Sequence, residues 1–108
     1  MVAINNEFDS CLKAAQQSDL EAQYIMGTYF IYGNYVEKNY QKAAEYYQKA
    51  ATKGHLMAQY NLAGCYYKGA GVEKDNQKTF ELYQKTADKG LTAGILSCAI
   101  CLFNGIDQ

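Results

Sequence analysis

The chain has 108 residues, of which 49% are hydrophobic and 19% charged, so it carries enough apolar material for the core of one domain and is not a disordered tail. Its ten cations are all lysine, and with eleven anions they leave a formal net charge of −1. The even charge balance and the absence of arginine argue against binding to nucleic acid, because phosphate backbones require a basic surface and arginine is the usual reader of guanine and phosphate.

The first residues of the chain do not resemble a secretory signal. Between Met1 and Phe8, the polar residues Asn5, Asn6 and Glu7 stand where a signal needs a cationic start and a long apolar run. We therefore expect a cytoplasmic protein. Residues 91–106 carry no charge, but they are too short for the about 20 apolar residues of a membrane-spanning helix. No association with a membrane is expected.

Apolar residues recur at helical spacing along most of the chain. Ala22, Met26 and Phe30 share one face of a helix of a first type, helix A, at the i, i+4, i+8 spacing. The buried face of a second type, helix B, includes Ala43 and Tyr47. These patterns predict six helices in chain order: helix B at 5–17, helix A at 19–32, helix B at 40–53, helix A at 55–68, helix B at 75–89 and helix A at 91–104.

Helix ends are marked by capping residues and glycines. Ser18 with Glu21 resembles a capping box that opens the first helix A, and Asp75 is placed to cap the last helix B. Gly54 and Gly90 follow the two complete B helices, where the chain must turn sharply. We expect both glycines to have positive φ.

The sequence repeats itself with a period of 36 residues. Laying Leu20–Gly54 over Leu56–Gly90 gives 17 identities in 35 positions. The small residues Gly27, Ala63 and Ala99 share one register position, which predicts close contact between paired helices there. Repeats of this length stack into one continuous core. The register divides a single repeat domain, 1–108, into an N-terminal half repeat at 1–18 (helix B), repeat 1 at 19–54, repeat 2 at 55–90 and a C-terminal half repeat at 91–108 (helix A).

Small residues, aromatics and glycines keep fixed offsets within the second repeat. The pattern runs Ala58-x3-Leu62-Ala63-x2-Tyr66-x2-Gly69-x-Gly71-Val72-x2-Asp75-x2-Lys78 and ends in Lys85-x-Ala87-x2-Gly90. It resembles the Sel-one-like repeat, an α/α relative of the tetratricopeptide repeat. The resemblance implies an all-α fold, an α/α superhelix or solenoid of antiparallel helix pairs.

The first repeat departs from this pattern between its two helices. It has Asn34 and Tyr35 where the second repeat has Ala70 and Gly71. We therefore expect an altered loop between helix A and helix B of repeat 1.

The inventory of reactive residues is thin. His55 is the only histidine, and it stands at a turn between helices, where a solvated or hydrogen-bonded role is expected. Cys98 and Cys101 lie in an apolar helix without a second cysteine pair, which favours core thiols over a zinc or redox site. Cys11 and Cys65 are likewise expected to be free thiols. No catalytic, cofactor-binding or metal-binding set can be assembled, so an enzyme is not expected.

Eleven tyrosines are more than the core of such repeats needs, so some are expected on the surface. The family resemblance implies a concave wall formed by the sides of the A helices that face away from the B helices. This wall is rich in tyrosine and aliphatic residues, and tyrosine is typical of interface hot spots. By register, the protein-binding residues of this wall are Tyr24, Thr28, Ile31, Tyr32, Met57, Tyr60, Tyr67, Lys68, Leu96, Ile100 and Phe103.

The resemblance implies a scaffold or adaptor that holds a segment of another protein in this tyrosine-rich groove. An alternative is a small inhibitor or immunity protein that neutralises a toxin or an enzyme by direct binding, and the residues do not separate the two. Helix 91–104 is apolar nearly all the way round and lacks a following helix B. We expect it to be covered by the same helix of a second copy in a homodimer, or by the target protein. A natural continuation of the chain that supplies the missing helix is the other alternative.

Overall fold

Six α-helices follow one another in the computed structural model, which describes residues 6–105. Every helix boundary lies within one residue of the prediction from sequence. Over the described part of the chain the secondary structure is helical throughout, with no strand, so the all-α prediction is confirmed. The helices are α1 (Asn6–Gln16), α2 (Leu20–Tyr32), α3 (Tyr40–Thr52), α4 (Leu56–Lys68), α5 (Asn76–Asp88) and α6 (Thr92–Phe103).

The helices form an elongated stack. Each one packs chiefly against its neighbours in the chain, and the molecule measures 49 × 24 × 18 Å. A shape twice as long as it is wide is that of a solenoid, in which contacts run between adjacent units. The A helices are α2, α4 and α6, and the B helices are α1, α3 and α5. None of the described helices is long and apolar enough to span a bilayer.

The core lies mainly where the helix B α3 packs between the A helices α2 and α4. Met26, Tyr47 and Leu62 are almost completely buried there. Gly27 is required by this packing, because a Cβ atom on it would lie 2.6 Å from the Tyr47 ring. Ala63, at the same register position, is fully buried. The predicted close contact of paired helices is therefore present in both complete repeats.

Two threonines complete the core of the second repeat, where sequence analysis had placed no polar residue. Thr79 and Thr86 are fully buried and hold the register positions of Ala43 and Ala50. Both hydroxyls donate to backbone carbonyls. The Thr79 hydroxyl donates to the Asp75 carbonyl at 2.9 Å, and the Thr86 hydroxyl to the Tyr83 carbonyl at 2.8 Å. A threonine that satisfies its hydroxyl in this way can replace a buried alanine.

The positive φ predicted for the glycines at the turns between B and A helices is confirmed. Gly54 has a φ of +97° and Gly90 a φ of +87°, so both occupy the left-handed region.

The prediction of a capping box that begins at Ser18 is wrong. Ser18 itself has a φ of +70° and holds the register position of the two glycines. The N-cap is the next residue, Asp19, whose carboxylate accepts from the Ala22 N–H at 3.0 Å.

The N-caps of the B helices agree with the sequence. Asp75 caps α5 as predicted, since its side chain accepts from the Lys78 N–H at 3.0 Å. Asn39 caps α3 in the same way through the Lys42 N–H. The two N-caps have the same extended backbone conformation, so the repeats are superimposable here as well.

The expectation of an altered loop in the first repeat is wrong. Tyr35 adopts a φ of +66°, close to the +75° of Gly71, and both loops keep the same backbone hydrogen bonds. The tyrosine is held in this conformation by side-chain contacts. Its ring packs edge-on against Tyr29 and its hydroxyl donates to Glu7 at 2.6 Å. At Gly71 a Cβ atom would collide with the Tyr40 carbonyl, so that position requires glycine.

Candidate protein-binding wall on the A helices

We call the sides of α2, α4 and α6 that face away from the B helices the A-helix wall. All eleven residues proposed from sequence lie on these three helices. Two rows cross the wall at the repeat spacing. One row consists of Tyr24, Tyr60 and Leu96, and the other of Ile31, Tyr67 and Phe103.

At the N-terminal end of the wall, Tyr24 is half-buried in a cluster of rings. It stacks on the His55 imidazole with centroids 4.8 Å apart and lies 6.0 Å from the Tyr47 ring. The His55 Nε2 is 2.9 Å from a Glu21 carboxylate oxygen, and its Nδ1 accepts from the Ala58 N–H at 3.1 Å. Tyr24 thus contributes to both the wall and the joint between α2 and α4.

The locally hydrogen-bonded role expected for His55 is confirmed. Because Nδ1 accepts a hydrogen bond, the proton must reside on Nε2, which donates it to Glu21. Both ring nitrogens are therefore engaged.

Two tyrosines of the B helices reach the wall from behind, and sequence analysis had not included them. The Thr28 hydroxyl donates to the Tyr24 carbonyl and therefore accepts from the Tyr47 hydroxyl, at 3.1 Å. Burial raises the pKa of Tyr47 to about 12, although hydrogen bonds with Thr28 and Asn61 act in the opposite direction. Burial similarly raises the pKa of Tyr83 to about 12, and its hydroxyl contacts Ser97.

The signal for these two tyrosines was present in the repeat register. Tyr47 and Tyr83 hold the same position in the two repeats, and their hydroxyls meet Asn61 and Ser97, which also correspond. Each hydroxyl therefore lies between one helix A and the next. A pattern of apolar spacing alone treats a tyrosine as a core residue and does not locate its polar end.

Gly64 forms a notch in the middle of the wall. The helical glycines Gly27 and Gly94 leave no room for a Cβ atom, whereas a Cβ atom on Gly64 would meet only the Tyr83 hydroxyl, at 3.9 Å. Tyr60 and Tyr67 lie one turn before and one turn after it on the same face. The notch is therefore flanked by two rings and has a hydroxyl at its base.

Three wall residues on α2 and α4 are exposed to solvent. Met57 is 36% exposed, Tyr67 38% and Tyr32 70%. The Lys74 ammonium lies 4.8 Å from the Tyr67 ring centroid and donates to the Tyr67 carbonyl at 2.5 Å, so it holds that ring in place. Lys68 is exposed at the register position of Tyr32. Tyr32 and Lys68 are the last residues of α2 and α4, so they lie at the edge of the wall.

At the C-terminal end the wall becomes aliphatic. Leu96 is 59% exposed, Ile100 58% and Phe103 90%. These side chains lie on α6, which carries no charged residue. The polarity of the wall therefore decreases along the stack, from tyrosines with hydroxyl groups on α2 and α4 to purely apolar side chains on α6.

The described residues offer little for catalysis. Burial raises the pKa of the Cys65, Cys98 and Cys101 thiols, which disfavours the reactive thiolate. All four cysteines are free, as expected. Within residues 6–105, no three histidine, cysteine or acidic side chains are grouped as metal ligands would be.

Comparison with known proteins gives one consistent result. Residues 20–55 and 56–91 each match the family model of the Sel1 repeat, which confirms the resemblance noted in the sequence. A protective antigen of uropathogenic Escherichia coli that displays an SLR fold is 33% identical, with a TM-score of 0.89 over 91% of this chain. A Sel1 repeat protein from Oxalobacter formigenes is 31% identical, with a TM-score of 0.79 over 82% of this chain.

These likenesses establish the α/α superhelix predicted from sequence. The chain spans 21% of the antigen's length and 37% of the Oxalobacter formigenes protein's length. No curated protein sequence matches it.

Proposed function

Since the chain belongs to the Sel1 repeat family, whose members are generally protein–protein interaction modules, we propose that its A-helix wall binds a segment of a partner protein. One observation carries the proposal: each of the three successive A helices places exposed aromatic or aliphatic side chains on this wall, among them Tyr32, Tyr67 and Leu96. Tyrosine and aliphatic side chains supply contact area, and the hydroxyls of the exposed Tyr32 and Tyr67 supply hydrogen-bonding groups.

The gradient along the wall supports a particular orientation for the bound segment. Its apolar side chains would pack on Leu96, Ile100 and Phe103, while its polar groups would face the hydroxyls of α2 and α4. At Gly64, between Tyr60 and Tyr67, the wall carries no side chain, and an apolar side chain of the bound segment would pack there. A segment with a large apolar residue at its centre is therefore the best match to this surface.

The role of this binding is either that of an adaptor or that of an inhibitor. A small inhibitor or immunity protein would neutralise a toxin or enzyme by occupying a functional surface with the same wall. Either role requires no catalysis by this chain. We favour the adaptor, because repeat stacks form long surfaces suited to extended segments.

The binding proposal can be tested with a random peptide display library selected on the immobilised 108-residue chain. We expect enrichment of peptides with clustered aromatic or aliphatic residues. Tyr67→Ala should weaken their binding by about 1–2 kcal/mol without loss of helical content. Tyr40→Ala is the matched control, because Tyr40 is an equally exposed tyrosine on the B helix α3. Equal effects of the two changes, or no enrichment, would contradict the proposal.

Tyr24 and Tyr60 are expected to behave differently from Tyr67. Both are half-buried and contact other rings, Tyr24 with His55 and Tyr60 with Tyr83 at 5.4 Å. Their replacement by alanine should therefore reduce stability as well as binding. Thermal unfolding of each variant, measured before binding, separates the two effects.

We also propose that helix 91–104 mediates a homodimer. The supporting observation is that Ile95, Leu96, Ile100, Leu102 and Phe103 are all at least half exposed on one helix. Exposed apolar groups at this density are usually covered in solution. Sedimentation of the chain at micromolar concentration would reveal whether such a dimer forms.

A further inference from the structure

Two hollows adjoin one another beside α3, and none of their lining residues belongs to the A-helix wall. They measure about 450 and 550 Å³, and both are lined by Gln41 of α3 and by Gly71 and Val72 of the loop between α4 and α5. The larger one also reaches Ala44, which is buried at its floor. Together they form one groove between α3 and this loop, which we call the α3 groove.

The floor of the groove has an alanine where the other two B helices have a phenylalanine. Phe8 in α1 and Phe80 in α5 hold the register position of Ala44. In α1 the centroid of the Phe8 ring lies 5.9 Å from that of Tyr29 and 6.5 Å from that of Phe30. Because α3 packs on α4 as α1 packs on α2, the α3 groove is the counterpart of the place that the Phe8 ring fills beside α2.

From this comparison we propose that the α3 groove binds an aromatic side chain of a partner protein, carried beside a basic residue. The ring would pack on Ala44 and Val72, as a phenylalanine packs at the same place in α1. This site and the A-helix wall share no residue. The proposal therefore does not depend on the binding proposed for the wall.

The size and the lining of the groove suit one aromatic ring. A closed apolar cavity of about 150 Å³ is enough to hold benzene inside a protein, and the larger hollow exceeds that volume. Its floor is formed by the methyl groups of Ala44 and Val72, and Gly71 adds only backbone. A Cβ atom on Gly71 would collide with the Tyr40 carbonyl, so the loop lies directly against the N-terminal end of α3. The shape of the groove is thus set by the packing of two backbone segments.

The charges around the groove favour a cation beside the ring. Glu45 and Glu73 both line it, and within residues 6–105 neither carboxylate has an ammonium group within 4 Å. Lys49 is the only cation among the lining residues, and its ammonium lies 5.3 Å from the centroid of the Tyr46 ring. The lining therefore has a net negative charge. A lysine or arginine next to the aromatic residue of the partner complements it.

The exposed aromatic residues of this chain match the groove less well than a different protein would. Phe103 and Tyr32 are 90% and 70% exposed, but no lysine stands within three residues of either. Tyr67 is followed by Lys68, but its ring is held by the Lys74 ammonium at 4.8 Å. We therefore expect the occupant to come from a partner protein and not from a second copy.

Methyl NMR of the 108-residue chain with three capped dipeptides tests the proposal. Acetyl-phenylalanyl-lysine amide should shift the Ala44 and Val72 methyl resonances and saturate at about millimolar concentration, the range expected for a ligand of this size. Acetyl-phenylalanyl-glutamate amide should bind about tenfold more weakly, because its carboxylate meets Glu45 and Glu73. Acetyl-alanyl-lysine amide should leave both methyl resonances unchanged.

Three substitutions then identify the groove as the site. Ala44→Phe should fill the groove as Phe8 fills its counterpart, so it should abolish the shift at Val72 without lowering the melting temperature. Glu45→Gln should weaken binding of the lysine peptide severalfold. Glu81→Gln is the matched control and should have no effect, since Glu81 is exposed at the same register position in α5.

Four results would overturn the proposal. They are shifts that persist in Ala44→Phe, a melting temperature that this change lowers by many degrees, equal binding of the three peptides, and equal effects of Glu45→Gln and Glu81→Gln. Methyl shifts that appear when the chain alone is concentrated would identify a second copy as the occupant and would also overturn it. The wall is tested separately, because Tyr67→Ala should weaken binding there and leave the peptide-induced shifts at Ala44 and Val72 unchanged.

Discussion

The three A helices begin with the same backbone conformation but with different capping residues. Asp19, His55 and Leu91 have φ values of −69°, −71° and −73°. The first caps its helix with a carboxylate and the second with an imidazole nitrogen. Leu91 makes no side-chain hydrogen bond to its helix. The amide groups at the start of α6 are therefore less well satisfied than those of α2 and α4.

This difference predicts that Leu91→Asp stabilises the protein. The backbone is already in the N-cap conformation, so an aspartate can accept a hydrogen bond from the first turn of α6 without rearrangement. We expect the free energy of unfolding to rise by about 1 kcal/mol, measured by urea denaturation. The reverse change, Asp19→Leu, should lower it by a similar amount. A decrease for Leu91→Asp would show that the leucine contributes more by packing than a cap does.

The helical glycines give a second pair of opposite effects. Gly64→Ala should stabilise the chain by about 0.5–1 kcal/mol, because alanine is the better helix former and the new methyl group has room. Gly27→Ala should destabilise it by about 1–3 kcal/mol, because the methyl group would overlap the Tyr47 ring. Thermal unfolding of the two variants should therefore shift in opposite directions. If Gly64→Ala also weakens peptide binding, the notch is part of the binding site.

At the scale of the single residue, prediction from the sequence succeeded where the backbone leaves few options. Gly54 and Gly90 were assigned positive φ because glycine tolerates it best, and Asp75 was identified as a cap because an aspartate stands where the last helix B begins. Ser18 was misassigned because its side chain suits a cap, although its register with Gly54 pointed to the left-handed turn. Tyr35 was misjudged because its positive φ depends on the tertiary contact with Glu7.

At the scale of the helix, the hydroxyl of a core tyrosine is a pH-sensitive component of each repeat. In α3 the Tyr47 ring is 2% exposed, and its hydroxyl links the helix to α2 through Thr28 and to α4 through Asn61. Folding raises the pKa of this group from 10 to about 12. The neutral form is therefore favoured in the folded state.

This pKa shift predicts a loss of stability at alkaline pH. The unfolded chain releases the Tyr47 proton near pH 10 and the folded chain near pH 12, so stability falls as pH rises between these values and is unaffected below them. The contribution is about 2–3 kcal/mol. In Tyr47→Phe this part of the decline should be absent, at the expense of about 1 kcal/mol at neutral pH for the lost hydrogen bonds.

Urea denaturation of the unmodified chain and of Tyr47→Phe between pH 8 and pH 12 would measure this difference in the free energy of unfolding. Tyr40→Phe is the matched substitution on the exposed side of the same helix. If Tyr47→Phe and the unmodified chain lose stability in parallel up to pH 12, the Tyr47 hydroxyl does not contribute in this way.

The helices themselves were predictable because the apolar periodicity and the capping residues and glycines indicate the same helix boundaries. Pairing along the stack followed from the 36-residue register, since residues at equal positions have equal neighbours. The register did not reveal which side chains of the second repeat would be buried. Thr79 and Thr86 read as polar, and only the structure shows that their hydroxyls are satisfied within α5. The polar ends of Tyr47 and Tyr83 were missed for another reason: apolar spacing alone does not locate a hydroxyl, although the shared register with Asn61 and Ser97 could have indicated it.

At the scale of the whole molecule, stability is distributed along the stack. Interior helices contact two neighbours, whereas α1 and α6 each pack extensively against one. In such an array the terminal units open more readily than the central ones. Amide exchange in a dilute monomer should therefore be slowest in α3 and α4 and fastest in α1 and α6.

Dimerisation through α6, as proposed above, would change this order at one end only. Raising the protein concentration from well below to well above the dissociation constant should slow exchange in α6, because each amide there gains the free energy of association before it can open. A hundredfold excess over the dissociation constant corresponds to about 2.7 kcal/mol of added protection. Exchange in α1, which faces away from the interface, should not change.

The Leu102→Glu variant provides the control for this experiment, since it places a carboxylate among the exposed apolar side chains of α6 and should prevent the dimer. Its α6 exchange should be fast at every concentration and equal to that of the dilute unmodified chain. Hydrogen exchange followed by mass spectrometry resolves the two terminal helices as separate peptides. Protection of α1 and α6 to the same extent at high concentration would indicate head-to-tail association, since only that arrangement covers both ends of the stack.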